Sequence, residues 1–180
     1  MKIFIILCLA TFLYANVKKE IYNFYEKKNY IASCNVGYKD FDKFKNNEKF
    51  VSLYAFACLK SDFIDRLAIP ITKLKYSKES RTNASFFSTI LMQKKLLYRS
   101  MVDGYDISSL NLPSTEYILS KVFDSYVRLK SYNNKKVYIF EDDKDKKIKY
   151  KLSLVKTNKI YKIVIDEFYD NKFVKKHIYW

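Results

Sequence analysis

From Ile148 to Leu154 the side chains alternate strictly: Ile148, Tyr150, Leu152 and Leu154 are apolar, while Lys149, Lys151 and Ser153 are polar. A period of two marks a strand with one buried face. Upstream of residue 130 the apolar residues instead recur at steps of three and four, the period of an amphipathic helix. The change falls in Lys130-Ser131-Tyr132-Asn133-Asn134-Lys135-Lys136, where turn residues cluster. A chain that is helical first and stranded afterwards folds as α+β. The pattern predicts antiparallel helices within residues 16–131 and a four-stranded antiparallel meander within 132–180, packed on or beside the helices. Tyr161, Ile163 and Ile165 alternate less strictly, and Val174, Ile178 and Trp180 share a face. Asp142–Asp145, Thr157-Asn158 and Tyr169–Asn171 supply the turns. Four short strands bury little by themselves, so the helices must cover one face.

The helical part divides at its polar breaks. Val17, Ile21, Phe24 and Tyr25 make one stripe, and Ile31, Cys34, Tyr38, Phe41 and Phe44 a second. Phe50, Val51, Tyr54, Ala57 and Cys58 make a third. Asp62 is a candidate cap for a helix over 63–76, bent or ended near Pro70. Ser80 or Thr82 is a candidate cap for a long helix to Met101, stopped by Asp103-Gly104. A last helix runs from Ser114 to about Lys130. The long helix carries Phe86, Phe87, Ile90, Leu91 and Tyr98, a wide apolar face that belongs to the core before any interface.

The opening MKIFIILCLATFLYANVKK carries one charge, Lys2, before Lys18. A short positive segment followed by an apolar run from Ile3 to Leu13 has the length of a signal-peptide core. A membrane span needs about 20 apolar residues. Cleavage after Ala15 starts the mature chain at Asn16, in the periplasm. Without cleavage, the same stretch anchors the protein in the inner membrane by its N-terminus.

Cleavage leaves two cysteines, Cys34 and Cys58, and an even pair in an oxidising compartment points to a disulfide. Facing residues of an antiparallel hairpin are equidistant from its turn. A turn at Asn46-Asn47 sets Cys34 opposite about residue 59, so Cys58 is in register. A second helix ending near Gly37 to Lys39 moves the centre to about 43 and offsets the pair by ~9 Å. That exceeds the ~7 Å reach of a disulfide. The stripe through Phe41 and Phe44 favours the longer helix and the bridge.

The formal net charge is +15, divided evenly, with +8 over residues 16–131 and +6 over 132–180. Lys outnumbers Arg 30 to 4, and the lysines are interleaved with acids. Arg is the usual reader of phosphates and bases, so nucleic acid is not the expected partner. Lys147, Lys149, Lys151, Lys162 and Lys175, on the sheet, suit attachment to an anionic envelope polymer or membrane surface. Oligomeric state is not written in the chain.

Motifs for chemistry are few. His177 stands beside Lys175 and Lys176, a poor setting for a metal ligand, and reads as an exposed strand residue. Ser153-Leu154-Val155-Lys156 spells a serine-hydrolase motif, but a strand sends its two ends to opposite faces. Asp143-Lys144-Asp145 lacks the Gly and closing Glu of a calcium loop. Asn83-Ala84-Ser85 spells a glycosylation acceptor, which would carry no weight were the chain bacterial. Two glycines 67 residues apart cannot build a phosphate loop. The pairs Asp103/Asp106 and Asp166/Glu167 read as solvated residues. No catalytic residue, cofactor or metal is expected.

FYEKKNYIASC resembles the tetratricopeptide pattern. An aromatic-ended first helix closes at Tyr25, Lys27-Lys28-Asn29 turns, and Tyr30 and Ala32 open the second helix. Asn29 stands where the family's turn carries Gly. YAFACLKSD, at 54–62, repeats the theme without a clean 34-residue period, and the match covers about 45 residues. The resemblance extends to exported bacterial proteins of this type. It implies helical hairpins that present a groove to a peptide or protein partner. The expectation is therefore a non-enzymatic exported protein that binds an envelope protein or peptide through a groove lined by Tyr and Phe.

Overall fold

A computed structural model describes residues 17–129 and 137–180. The expected signal cleavage between Ala15 and Asn16, and the joint at Lys130–Lys136, lie outside the described residues. Helices come first and a four-stranded antiparallel sheet follows, so the chain is α+β. It divides into two compact units, residues up to Ser88 and residues from Thr89 onward, within one continuous helix.

The first unit holds α1 (17–26), α2 (Tyr30–Lys39), α3 (Glu48–Lys60), α4 (Ala68–Lys73) and the start of α5 (Lys78–Asp103). Short 3₁₀ turns occupy Phe41–Lys43 and Ile64–Leu67. Asparagines start two of these helices. Asn29 accepts from the Ala32 amide at 3.2 Å, and Asn47 from the Phe50 amide at 3.4 Å. Each side chain satisfies a donor that the first helical turn leaves open. Ser77 caps α5 by accepting from the Ser80 amide at 3.0 Å. The expected caps Ser80 and Thr82 lie inside the helix.

Helices α1 and α3 end in the same way. Lys28 (φ 57°) and Asp62 (φ 64°) take the left-handed conformation. The next amide reaches back to close the turn, Asn29 to the Phe24 carbonyl and Phe63 to the Cys58 carbonyl, both at 2.9 Å. Asn29 therefore caps α2, and the position suited to Gly is Lys28. Asp62 closes α3 instead of opening the next helix. These two turns are 34 residues apart, and residues 64–73 are Tyr30–Lys39 shifted by that same interval.

The second stripe needs correction. Ser33, Cys34 and Gly37 form the buried face of α2, and Ile31 and Tyr38 are each 57% exposed. Small residues face inward because the helices approach closely. A Cβ on Gly37 would lie 2.4 Å from Tyr54 Cδ2. Helix α2 also stops at Lys39, short of Phe41 and Phe44.

The disulfide forms nonetheless. Cys34 and Cys58 are joined, with Cα atoms 4.8 Å apart and both residues fully buried. They are equidistant from residue 46. A 3₁₀ turn rises about 2 Å per residue, so Phe41–Lys43 adds length between the two helices without their shared helical register. The effective turn centre therefore lies beyond the midpoint of the non-helical segment.

The second unit holds the rest of α5, α6 (Ile118–Val127) and strands β1 (Val137–Glu141), β2 (Ile148–Thr157), β3 (Ile160–Tyr169) and β4 (Lys172–Tyr179). Strand order follows the chain, and every pair is antiparallel. Thr157 pairs with Ile160 and Tyr169 with Lys172 across two-residue turns. All four turn residues, Asn158, Lys159, Asp170 and Asn171, have positive φ, as type I′ hairpins require. One face of the sheet is buried through Tyr138, Phe140, Tyr150, Leu152, Ile163, Ile165, His177 and Tyr179. Val174, Ile178 and Trp180 do share a face, but it is the outer one.

Candidate interaction surfaces and a polar cluster

In the first unit the left-handed turn at Asp62 brings Arg66 onto α2. Its Nη1 donates to Asn35 Oδ1 at 2.8 Å and lies 3.3 Å from Cys34 Sγ. The guanidinium sits 4.5 Å from the ring centroids of both Tyr38 and Phe63. Stacking on two rings holds a cation that would otherwise sample many rotamers. Ile31, Asn35 and Tyr38 are spaced to share one face of α2. Arg66 and Ile69, three apart, share the neighbouring face, and Ile69 is 51% exposed. An apolar and aromatic surface is thus open to solvent beside a buried covalent link.

Where α3 meets the start of α5, aromatic rings fill the space between the helices. Phe56 packs edge-on against Phe87 at 4.9 Å and near Phe86 at 6.2 Å, and Asn83 donates to Ser52 at 3.2 Å. Phe87 is fully buried, and Phe56 and Phe86 are half-buried. An exposed aromatic residue, Tyr38, lies on the outward face of α2.

In the second unit a cavity of about 90 Å³ is lined by Ser114, Glu116, Lys121, Asp124, Asp142 and Tyr150, among others. That is room for about three water molecules, well below the ~300 Å³ of a small-molecule site. Asp142, at the first hairpin tip, is buried. Its Oδ2 accepts from Tyr150 Oη at 2.7 Å and Lys121 Nζ at 2.9 Å. Its Oδ1 accepts from the amides of Lys144 (2.9 Å) and Asp145 (3.3 Å). Burial pushes this carboxyl up, but these four donors outweigh it and hold it well below the usual range. Burial and the Asp142 charge push the Tyr150 hydroxyl well up. Burial also raises Asp124, opposed by the Ser114 hydroxyl at 2.5 Å. Both oxygens of Asp142 are taken by the protein, so the carboxylate ties the hairpin tip to α6 and β2.

The remaining sequence motifs fall apart in space or turn out to be local. Asp166 faces outward and pairs with Lys176 at 3.6 Å, while Glu167 faces inward, 3.8 Å from His177 Nε2. His177, expected at the surface, is 5% exposed, because strand parity puts it opposite Ile165 on the covered face. Asp106 accepts from the Ser108 amide at 2.8 Å, a turn of the chain on itself. Lys149, Lys151 and Lys162 are on the outer face. Lys175 pairs with Glu167 on the inner face, and Lys176 takes the outer place expected of it. Lys147 precedes β2.

Asp142 is the residue that sequence reasoning undervalued. The only available signal was Asp at the first position of a turn followed by two amides. Among the described residues no cluster of three metal-ligating side chains occurs, and no helix is long and apolar enough to cross a membrane. Compared with protein-family models, with curated proteins and with solved structures, the chain matches none.

Proposed function

We propose that the chain is an exported, non-enzymatic protein of the cell envelope whose helical unit binds a protein or peptide partner. The observation that carries this reading is the surface around Arg66. Ile31 and Tyr38 are exposed on a helix clamped by the Cys34–Cys58 bridge, with Arg66 stacked between Tyr38 and Phe63. Tyr, Arg and exposed aliphatic groups held in fixed positions are the usual anchors of a protein interface. Rigid anchors lose little entropy on binding. The buried disulfide supports an oxidising compartment such as the periplasm. The helical hairpins, two of them at a 34-residue interval, support a tetratricopeptide-like reading.

Site-directed photocrosslinking tests the proposal. A photoreactive side chain at Tyr38 or Ile31, expressed in the envelope, is expected to give one discrete adduct. The same group at Tyr76, exposed elsewhere in this unit, is expected to give none. Equal labelling at all three positions, or none at Tyr38 and Ile31, overturns it. The intact mass of the envelope-fraction protein tests export separately. A chain beginning at Asn16 and lighter by two hydrogens until reduced is the expected species.

A further inference from the structure

Residues 146–165, which make up most of the β2–β3 hairpin, carry seven lysines and no Asp or Glu. At the turn end of this hairpin, three large apolar side chains stand in solvent: Val155 (44% exposed), Ile160 (49%) and Trp180 (54%). Strand parity puts them on one face. Val155 pairs with Lys162, Thr157 pairs with Ile160, and Lys162 Nζ lies 4.8 Å from the Trp180 ring. Lys159 lies in the same turn, and Lys156 precedes it on the opposite face, over the Tyr161 ring. Lone exposed apolar residues are common. Here three of them, including the chain's one Trp, meet at one corner within a one-sign charge field.

We propose that this corner of the sheet docks on an anionic lipid bilayer surface. Lys159 and Lys162 would face the headgroups, and Ile160, Val155 and Trp180 would enter the boundary beneath them. Each part of the arrangement fits that surface. Lysine stems extend along apolar surface while their ammonium groups reach the phosphates. Trp partitions to the headgroup level. Basic residues beside a membrane draw on the negative potential of anionic lipids. A soluble polyanion would use the lysines but has no place for exposed Ile and Val. A second copy of the chain would set one basic corner against another. The proposal concerns a surface of the second unit and stands apart from the partner site around Arg66.

Trp180 makes the test direct, because its emission reports on this corner alone. The oxidised full chain is titrated with vesicles of phosphatidylglycerol and phosphatidylcholine (about 30:70), and with pure phosphatidylcholine. The expected result is a blue shift and acrylamide protection with the anionic vesicles only, weakening steeply from low to high salt. Ile160→Ser, at an exposed turn position, is expected to weaken binding by about 10-fold. Replacing Lys159 and Lys162 together by Gln is expected to weaken it by about 30-fold. Absence of binding to anionic vesicles overturns the proposal. So does binding that leaves Trp180 emission unmoved and is unaffected by Ile160→Ser, and equal or tighter binding of polyphosphate would then point to a soluble polymer. Should the double-lysine variant misfold, the salt series and Ile160→Ser still decide.

Discussion

Breaking the Cys34–Cys58 bridge is the perturbation whose size follows most directly from the structure. The two residues are 24 apart in sequence. The entropy released to the unfolded chain when a loop of this length is opened corresponds to about 3.4 kcal/mol. Little offsets it, since both cysteines are fully buried and Gly37 already allows the helices their close approach. At a urea dependence of about 2 kcal/mol/M, the unfolding midpoint of the helical unit should fall by about 1.7 M. The assay is urea unfolding followed by far-UV circular dichroism. It compares oxidised protein, reduced protein and the Cys34→Ala/Cys58→Ala double variant. Reduced and double-variant proteins are expected to agree within about 1 kcal/mol, because chain entropy dominates in both. Coincident midpoints for oxidised and reduced protein would refute the reasoning. They would mean either that the bridge is absent or that the unfolded chain already holds α2 against α3.

Gly37→Ala should destabilise by about 1–2 kcal/mol, measured by the same unfolding. The new methyl strikes the Tyr54 ring, which Phe41 and Phe44 flank, and this outweighs the ~1 kcal/mol gain in helix propensity. Lys28→Gly should stabilise by about 0.5–1 kcal/mol, because it relieves a left-handed lysine; a loss of stability would remove Lys28 from that role. Asp142→Asn should cost about 2–3 kcal/mol, and Tyr150→Phe in that background should add almost nothing, a double-mutant cycle that reads their coupling. Glu48 accepts the amides of Lys75, Tyr76 and Ser77, and these hold its carboxyl at about 2. Its folded pKa is depressed, so its contribution is present above the unfolded value near 4.3 and fades as pH falls towards about 2. Glu48→Gln should flatten stability against pH in that window.

The strands were legible because their period is short and one face is covered. Ile148 to Leu154 could be read from neighbours alone, and the turns to within a residue: Thr157-Asn158 for Asn158-Lys159, and Tyr169–Asn171 for Asp170-Asn171. The helix faces were harder. The inward face of α2 is Ser33, Cys34 and Gly37, since a close crossing rewards small residues and a hydrophobicity pattern cannot weigh that. Ile31 and Tyr38 therefore passed for core. Tyr38 is held outside by Arg66, a residue 28 positions away whose arrival depends on the turn at Asp62. His177 was misjudged because its lysine neighbours suggested surface, whereas parity along β4 alone decides its side. Asp142 showed its turn in the sequence, but its four donors come from α6, β2 and the turn itself.

The 34-residue interval bears on why the helical unit needs a covalent clamp. The turns at Lys28 and Asp62 fall one interval apart, but the next interval, at Leu96, lies inside α5, which runs unbroken from Lys78 to Asp103. Read as degenerate tetratricopeptide-like units, as proposed above, the hairpins number two before a continuous helix takes over. Repeat arrays gain stability from neighbours, and about three units are needed for a continuous core. Two units with one close-packed crossing fall short of that. The crossing of α2 and α3 is where the first hairpin meets the second, and the Cys34–Cys58 bridge lies there. On that proposed reading, the disulfide supplies at one interface what a third unit would have supplied by burial. Its loss should therefore loosen the helical unit, including the Tyr38–Arg66 surface, and weaken crosslinking at Tyr38 under reducing conditions.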